Sequence, residues 1–439
     1  MTKPISAISF CAGAYLIMPL FLFCVSFLLW ALVFPMALII VFVSFKAFRN
    51  TKWQLHFTWI DFVLLAIAVA WTTLAGITPF LVQNSDWVKH YAILNLLVER
   101  PWPVSIDQTY LRYSLGYYLI PAFLTKPFGY MALEWAVGLW TIIGVWLAFE
   151  LLSDKIRGLL PILRFAGVFV FFSGMDYIGT MITGHQIGPP WHYEWWASFA
   201  QLPSITSTLF WAPQHGIPAW IGMGLLLNFP ASLRYFGIIF VAVMFWSPFA
   251  AIGLVPFVLW ASWGRFLDLL SQENFLIIPV LVVVASYLIS GSSNIPRFFV
   301  WDSPEFSTVR FILFTVLEWG VLGAVLLFAN SEKTLIAVSC VSLFGLSLVQ
   351  VGDANDLIMR ASGPAIVTLM LQSVNALSAP RFVPVLLLIC LGVPTALGEM
   401  RRAVSVDRFD LSSVRFGTNN AALDPFRYQY FVEKPYVVR

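Results

Sequence analysis

From Ile5 to Phe45 the chain carries no charged side chain. Comparable apolar runs recur to its far end, divided by short polar breaks. A helix needs about 20 mainly apolar residues to cross a bilayer, and within hydrocarbon each backbone polar group must be satisfied inside its own segment. With 60% hydrophobic residues, 11% charged residues and a mean hydropathy of +0.84, the chain has too few polar side chains to clothe a water-facing surface. Soluble folds are therefore excluded, and the expected class is all-α: a polytopic transmembrane helical bundle. Ile5 to Phe45 is too long for a cleaved leader and lacks a small-residue cleavage site, so it reads as two spans turning near Trp30 to Pro35 and kept in the mature protein.

The net charge of +3 is small and dispersed, which offers no face to nucleic acid. Cys11, Cys24, Cys340 and Cys390 sit inside apolar runs without the spacing of a zinc site, and read as packing residues. The sequence has no Asn-x-Ser/Thr sequon, which favours a bacterial source. Lysine and arginine in short loops resist translocation. If Lys46, Arg49 and Lys52 are cytoplasmic, then Lys155, Arg157, Arg234, Arg265, Lys333 and Arg381 fall on the same side. That arrangement takes about thirteen spans.

Residues 1–398 then form a membrane domain, with 82–130 as its first outer loop, and 399–439 a short non-cytoplasmic tail. Residues 82–130, 175–210 and the tail share one side, which in a bacterial inner membrane is the periplasm. Leu111 to Phe128 reads as an interfacial helix, with Tyr110, Tyr113, Tyr117 and Tyr118 in the headgroup belt.

In so apolar a chain each polar cluster calls for an account. Asp86 follows the run Phe62 to Leu81 and precedes Lys89 and His90. A carboxylate at the membrane boundary can be partly desolvated yet wet enough to take a proton, as a general base must; the plainer account is a helix cap at Trp87. Gln214 and His215 follow a proline turn on the same side, where His215 could donate to a phosphate oxygen or bond a carbonyl.

Asp353, Asp356 and Arg360 crowd the start of another span, and charge so close to hydrocarbon usually pairs or serves a site. Arg360 suits a lipid phosphate held by two hydrogen bonds, or an i, i+4 ion pair with Asp356. His192 and Glu194 lie among tryptophans, as substrate contacts or as an aromatic belt. Asp176, at the outer end of a span, reads as a second acid, ranked above Glu134 and Glu318. Ser247-Pro248 reads as a bend.

The order of these parts resembles the GT-C superfamily of membrane glycosyltransferases, which includes protein O-mannosyltransferases and the aminoarabinose transferases of lipid A. The likeness lies in an early acid, Asp86, after a span; in the stretch Arg112 to Gly129, with LGYYLIPAFLTKPFG; and in a span beginning near Glu134. It covers Trp59 to Asp176. Here Asp86 is followed by Trp87 where those families often carry paired acids, and three spans precede it where they usually have one.

The resemblance implies transfer of a sugar from a polyprenyl-phosphate donor to a glycan, lipid or protein acceptor, in a single inverting displacement. Asp86 would take the acceptor proton, while Lys89, His90, His215 and Arg360 hold the donor phosphate. Gln214, His192, Glu194, Asp353 and Asp356 would line the substrate. No cofactor is required, and a divalent metal between Asp86 and Asp176 stays open. Two other classes compete: a transporter or flippase of lipid-linked sugars, since intramembrane charges also mark substrate paths, and an oligosaccharide polymerase or ligase relying on Arg297, Arg360 and His215.

Overall fold

A computed structural model describes residues 5–53, 57–81, 83–185, 192–229, 232–290, 295–329, 332–352, 354–379, 382–405, 410–414 and 430–439. It is 71% helical and 5% strand, as the apolar runs require. Six helices among the described residues are long and apolar enough to cross a membrane: Ala7–Phe27, Trp30–Phe48, Ala132–Leu152, Leu159–Thr183, Thr308–Ala329 and Val383–Ser405. A seventh arises if Phe266–Leu276 and Ile278–Ile289, bent by 75° where they meet, count as one.

This falls short of thirteen for a geometric reason. Trp59–Leu74, Leu233–Trp246, Pro248–Ala261 and Lys333–Ser347 are apolar but shorter, and at 1.5 Å per residue a 16-residue helix reaches only about 24 Å against about 30 Å of hydrocarbon. The run Trp211–Leu227 is trimmed at its start, leaving the 16-residue helix Pro213–Asn228. One helix, Ile205–Trp211, ends before Ala212, and a second starts at Pro213, whose missing N–H costs nothing in a first turn.

The polar breaks sort to the two ends of the bundle. At one end Glu273 lies 3.2 Å from Lys46 and 3.5 Å from Arg234, and Arg164 donates to Ser378. At the other end the first loop, the 192–213 segment and the tail meet. Asn84 donates to the Phe210 carbonyl, and strand Phe431–Val432 pairs antiparallel with Thr109–Leu111. The last long helix continues to Ser405, so Glu399 and Arg402 belong to it and not to the tail.

The expected interfacial helix is also revised. Only Leu119–Thr125 is helical, and Tyr117 and Tyr118 are fully buried instead of lying in a headgroup belt. Their hydroxyls find partners inside: Tyr117 meets Thr141 Oγ1 at 2.6 Å and Tyr118 meets His90 Nδ1 at 2.7 Å. A buried phenol is stable once its O–H is satisfied.

Beneath them Tyr15 stacks on Trp140 with ring centroids 4.0 Å apart, and Trp246 packs on Tyr15, Trp140 and Tyr117. Gly116 touches Trp246 so closely that an added Cβ would lie 2.7 Å from the Trp246 Cα. Backbone cannot yield as a side-chain tip can. Gly116→Ala is therefore expected to destabilise the protein by about 1–3 kcal/mol, read as a lowered melting temperature in detergent.

Candidate functional site

Asp86 opens the helix Asp86–Glu99 but does not cap it. The N-cap is Ser85, whose side chain makes no capping bond; Asn84 Oδ1 accepts from the Asp86 N–H at 3.0 Å, while Asn84 Nδ2 and the Trp87 indole both donate to the Phe210 carbonyl. Freed from capping, the Asp86 carboxylate is 38% exposed and lies 3.0 Å from Lys89 Nζ. One turn on, buried His90 spends both ring nitrogens within the protein. Nε2 lies 3.0 Å from the Trp211 carbonyl, which can only accept, so Nε2 carries the proton and Nδ1 accepts from the Tyr118 hydroxyl. Burial first, opposed by the nearby Asp86 charge, holds its pKa down to about 4. Neutral and fully bonded, His90 fixes Tyr118 and Trp211 and leaves the gripping of a phosphate to others.

The facing wall joins the turn at Ala212 to the helix Asp356–Ala361. Gln214 and His215 are buried. Gln214 Nε2 lies 3.5 Å from the Tyr113 hydroxyl, and His215 Nδ1 lies 2.7 Å from Ser247 Oγ, which also accepts the Ala250 N–H. The bend at Ser247-Pro248 thus orients a site histidine, a role that reading it as a bend alone misses. Asn355 precedes the Arg360 helix in the left-handed conformation and donates to the Phe199 carbonyl. Arg360 and Asp356 form the i, i+4 pair at 2.8 Å, with the guanidinium 6.0 Å from the Phe249 ring. Asp353 lies outside the described residues.

Trp211, His215 and Arg360 line a common cavity of about 50 Å³ with Gln201, Ser207 and Thr208. His215 Nε2, Arg360 Nε and Gln214 Oε1 are buried polar atoms without a hydrogen-bond partner among the described residues. Leaving such atoms unpaired costs about 1–3 kcal/mol each, so they mark where a polar guest would be held.

Behind Trp211 lies an internal acid network. Trp211 Nε1 donates to Glu399 at 2.8 Å, Arg402 bonds the same carboxylate at 3.0 Å, and His192 Nδ1 lies 3.2 Å from its other oxygen. Burial pulls the His192 pKa down, opposed by the Glu399 charge. His192 thus adjoins Glu399, and its ring packs on Trp211 with centroids 4.4 Å apart. Glu194 is 1% exposed and accepts from Gln201, Ser207 and the Ser204 N–H.

Asp176 is wholly buried, accepting from Ser173 at 2.7 Å and Thr395 at 3.2 Å, and adjoins Glu318, which sits on a π-helical turn and accepts from Trp196 at 2.8 Å. Glu318 therefore belongs with Asp176, although their surroundings in the sequence ranked them apart. Asp86 pairs with Lys89, and Asp176 accepts from Ser173 and Thr395. Among the described residues no three His, Cys, Asp or Glu side chains are grouped as metal ligands.

Asp86, Lys89 and Arg360 lie within electrostatic reach of His90, His215 lies within reach of His90 and Arg360, and Asp356 is paired to Arg360. Glu399 links His192 to Trp211, while Glu194 and Asp176 keep separate hydrogen-bond partners. Glu399 and Arg402 escaped notice. Their signal was a lone i, i+3 pair where an apolar run gives out.

Glu194, outside the long apolar helices, provides a test. Burial, then the charges of Asp176 and Glu399, push its pKa up to about 8. The unfolded chain releases this proton near pH ~4.3 and the folded chain holds it further, so the folded state binds more protons between those values and loses stability as pH rises through them. The melting temperature is expected to fall from about pH 5 to about pH 8. Glu194→Gln should flatten that slope whatever its own starting stability; an unchanged slope would place the titration elsewhere.

The structure defines a helical protein whose several long apolar helices are compatible with an integral membrane protein, with a polar basin at one end of the bundle. Comparison with family models, curated proteins and solved structures returned no match.

Proposed function

We propose that the protein is a membrane glycosyltransferase of GT-C type, which moves a sugar from a polyprenyl-phosphate donor to an acceptor hydroxyl at the periplasmic face of a bacterial inner membrane. One observation carries this reading: an exposed carboxylate, Asp86, lies within electrostatic reach of Arg360, which lines a cavity of about 50 Å³ with His215, and each of these two carries a buried nitrogen without a hydrogen-bond partner among the described residues. The acceptor oxygen attacks the anomeric carbon as the bond to the phosphate oxygen breaks. The hydroxyl proton passes to Asp86, and polyprenyl phosphate leaves with the electron pair, its charge met by Arg360, His215 and Lys89. So good a leaving group needs no acid. A single displacement inverts the anomeric centre, and it calls on one carboxylate where glycoside hydrolysis uses two.

The test is transfer of radiolabelled sugar from a panel of polyprenyl-phosphate sugars to membrane extracts by purified protein. Label appearing in a glycan, lipid or protein acceptor supports the reading; label retained by every donor refutes it.

One observation favours the transporter reading. At the opposite end of the bundle lies a second polar cavity of about 870 Å³, lined by Asp61, Glu150, Asp154, Lys155 and Arg157 among others. Two polar vestibules on one bundle suit alternating access. Movement of a fluorescent lipid-linked sugar across proteoliposomes without covalent transfer would give that reading precedence.

A further inference from the structure

A last wall of the basin comes from residues 430–439, which cross the end of the bundle as a strap. The Arg112 N–H donates to the Tyr430 carbonyl at 2.7 Å, Leu111 and Tyr110 pair with Phe431 and Val432, Leu28 bridges Val438, and the Arg439 guanidinium lies 3.9 Å from the Trp30 ring. With contacts at both ends, the strap holds the Tyr430 ring in a fixed place. That ring stands edge-on to Tyr113, with centroids 5.0 Å apart, and is itself mostly buried. Tyr113 in turn adjoins Tyr118 and the Gln214 amide. Tyr430 also lies within electrostatic reach of Arg360, Asp86 and Asp356.

We propose that the strap completes a sugar subsite, in which Tyr430 and Tyr113 form the wall against which the ring of the transferred sugar packs. The inference rests on the lipid-phosphate reading and adds a residue to it. A cavity of about 50 Å³ beside His215 and Arg360 has room for a phosphate group and not for a sugar. With the phosphate there, the sugar lies on the Asp86 side of Arg360, since its anomeric carbon must come within reach of an acceptor bound to the base. Tyr113 and Tyr430 border that side. Aromatic rings present a negative face that suits the weakly positive C–H face of a sugar, while the sugar's hydroxyls turn toward polar neighbours.

The experiment uses the full chain in lipid nanodiscs and two probes: a long-chain polyprenyl phosphate, and the same lipid carrying one hexose or pentose. Tyr430→Ala is expected to weaken binding of the sugar-bearing lipid about tenfold and of the bare lipid phosphate by less than about twofold. Tyr430→Phe keeps the ring and should stay near wild type. Should Tyr430→Ala not fold, judged by its melting curve, Tyr430→Leu carries the same expectation. Equal loss for both lipids, or loss for neither, overturns the sugar subsite while leaving the phosphate site standing. A wild-type protein that binds neither lipid overturns the phosphate reading, and the subsite with it.

Discussion

Asp86→Asn is expected to abolish sugar transfer while donor lipid still binds. The substitution keeps the size of the side chain and its place in the first turn of the helix, where Ser85 is the N-cap and the Asp86 N–H bonds Asn84 Oδ1. What it removes is the ability to take a proton. General base catalysis contributes roughly 10²- to 10⁴-fold, and kcat should fall by that factor with little change in donor affinity. Lys89 loses its partner, but exposed ion pairs contribute only about 0–1 kcal/mol, so folding should survive. The comparison is single-turnover transfer by both proteins in the same lipid. A variant that inserts, binds donor and transfers at the wild-type rate would remove Asp86 from the chemistry.

Arg360→Ala is expected to act on binding. The guanidinium is three-quarters buried beside Asp356 and above Phe249, its Nε has no hydrogen-bond partner among the described residues, and the residue lines the cavity. Losing a charge-assisted hydrogen bond to phosphate costs about 1.5–3 kcal/mol, so the Kd for a fluorescent polyprenyl phosphate should rise roughly 10- to 150-fold. Part of any loss comes from leaving Asp356 unpaired. Adding Asp356→Asn to Arg360→Ala separates that share: binding restored by the double substitution would assign the effect to the abandoned carboxylate. Arg360→Lys should recover only part of the affinity, because an ammonium cannot present two parallel donors. Donor affinity unchanged in Arg360→Ala would take this residue out of the site.

Much of the basin was legible because polar residues beside hydrocarbon need a reason to be there. Asp86, Gln214, His215, Asp356 and Arg360 each stood out as a polar break next to an apolar run, and of these His215 and Arg360 line one cavity. The helical class followed from the same contrast. The span count did not follow, because hydropathy measures apolarity and neither helix length nor straightness: Trp59–Leu74 stops after 16 residues, and the segment around Ile277 bends by 75°.

Partners distant in sequence were also out of reach. Glu399 is recognisable as the clamp on Trp211 only once a residue 188 positions away is seen beside it. Tyr117 and Tyr118 looked like headgroup aromatics because their interior partners, Thr141 and His90, lie on other helices. Periodicity reports which face of an element is apolar, but not which polar atom on another element answers it.

The strap also has a bearing on how the protein is made. A chain emerges from the ribosome from its N-terminus onward, and domains tend to form in that order. Residues 430–439 follow every long apolar helix described here, yet they must return to the turn between the first two, at Leu28 and Trp30, and to the strand at Thr109–Leu111. The basin therefore stays open during insertion and gains its last wall only when the strap closes over helices already in place.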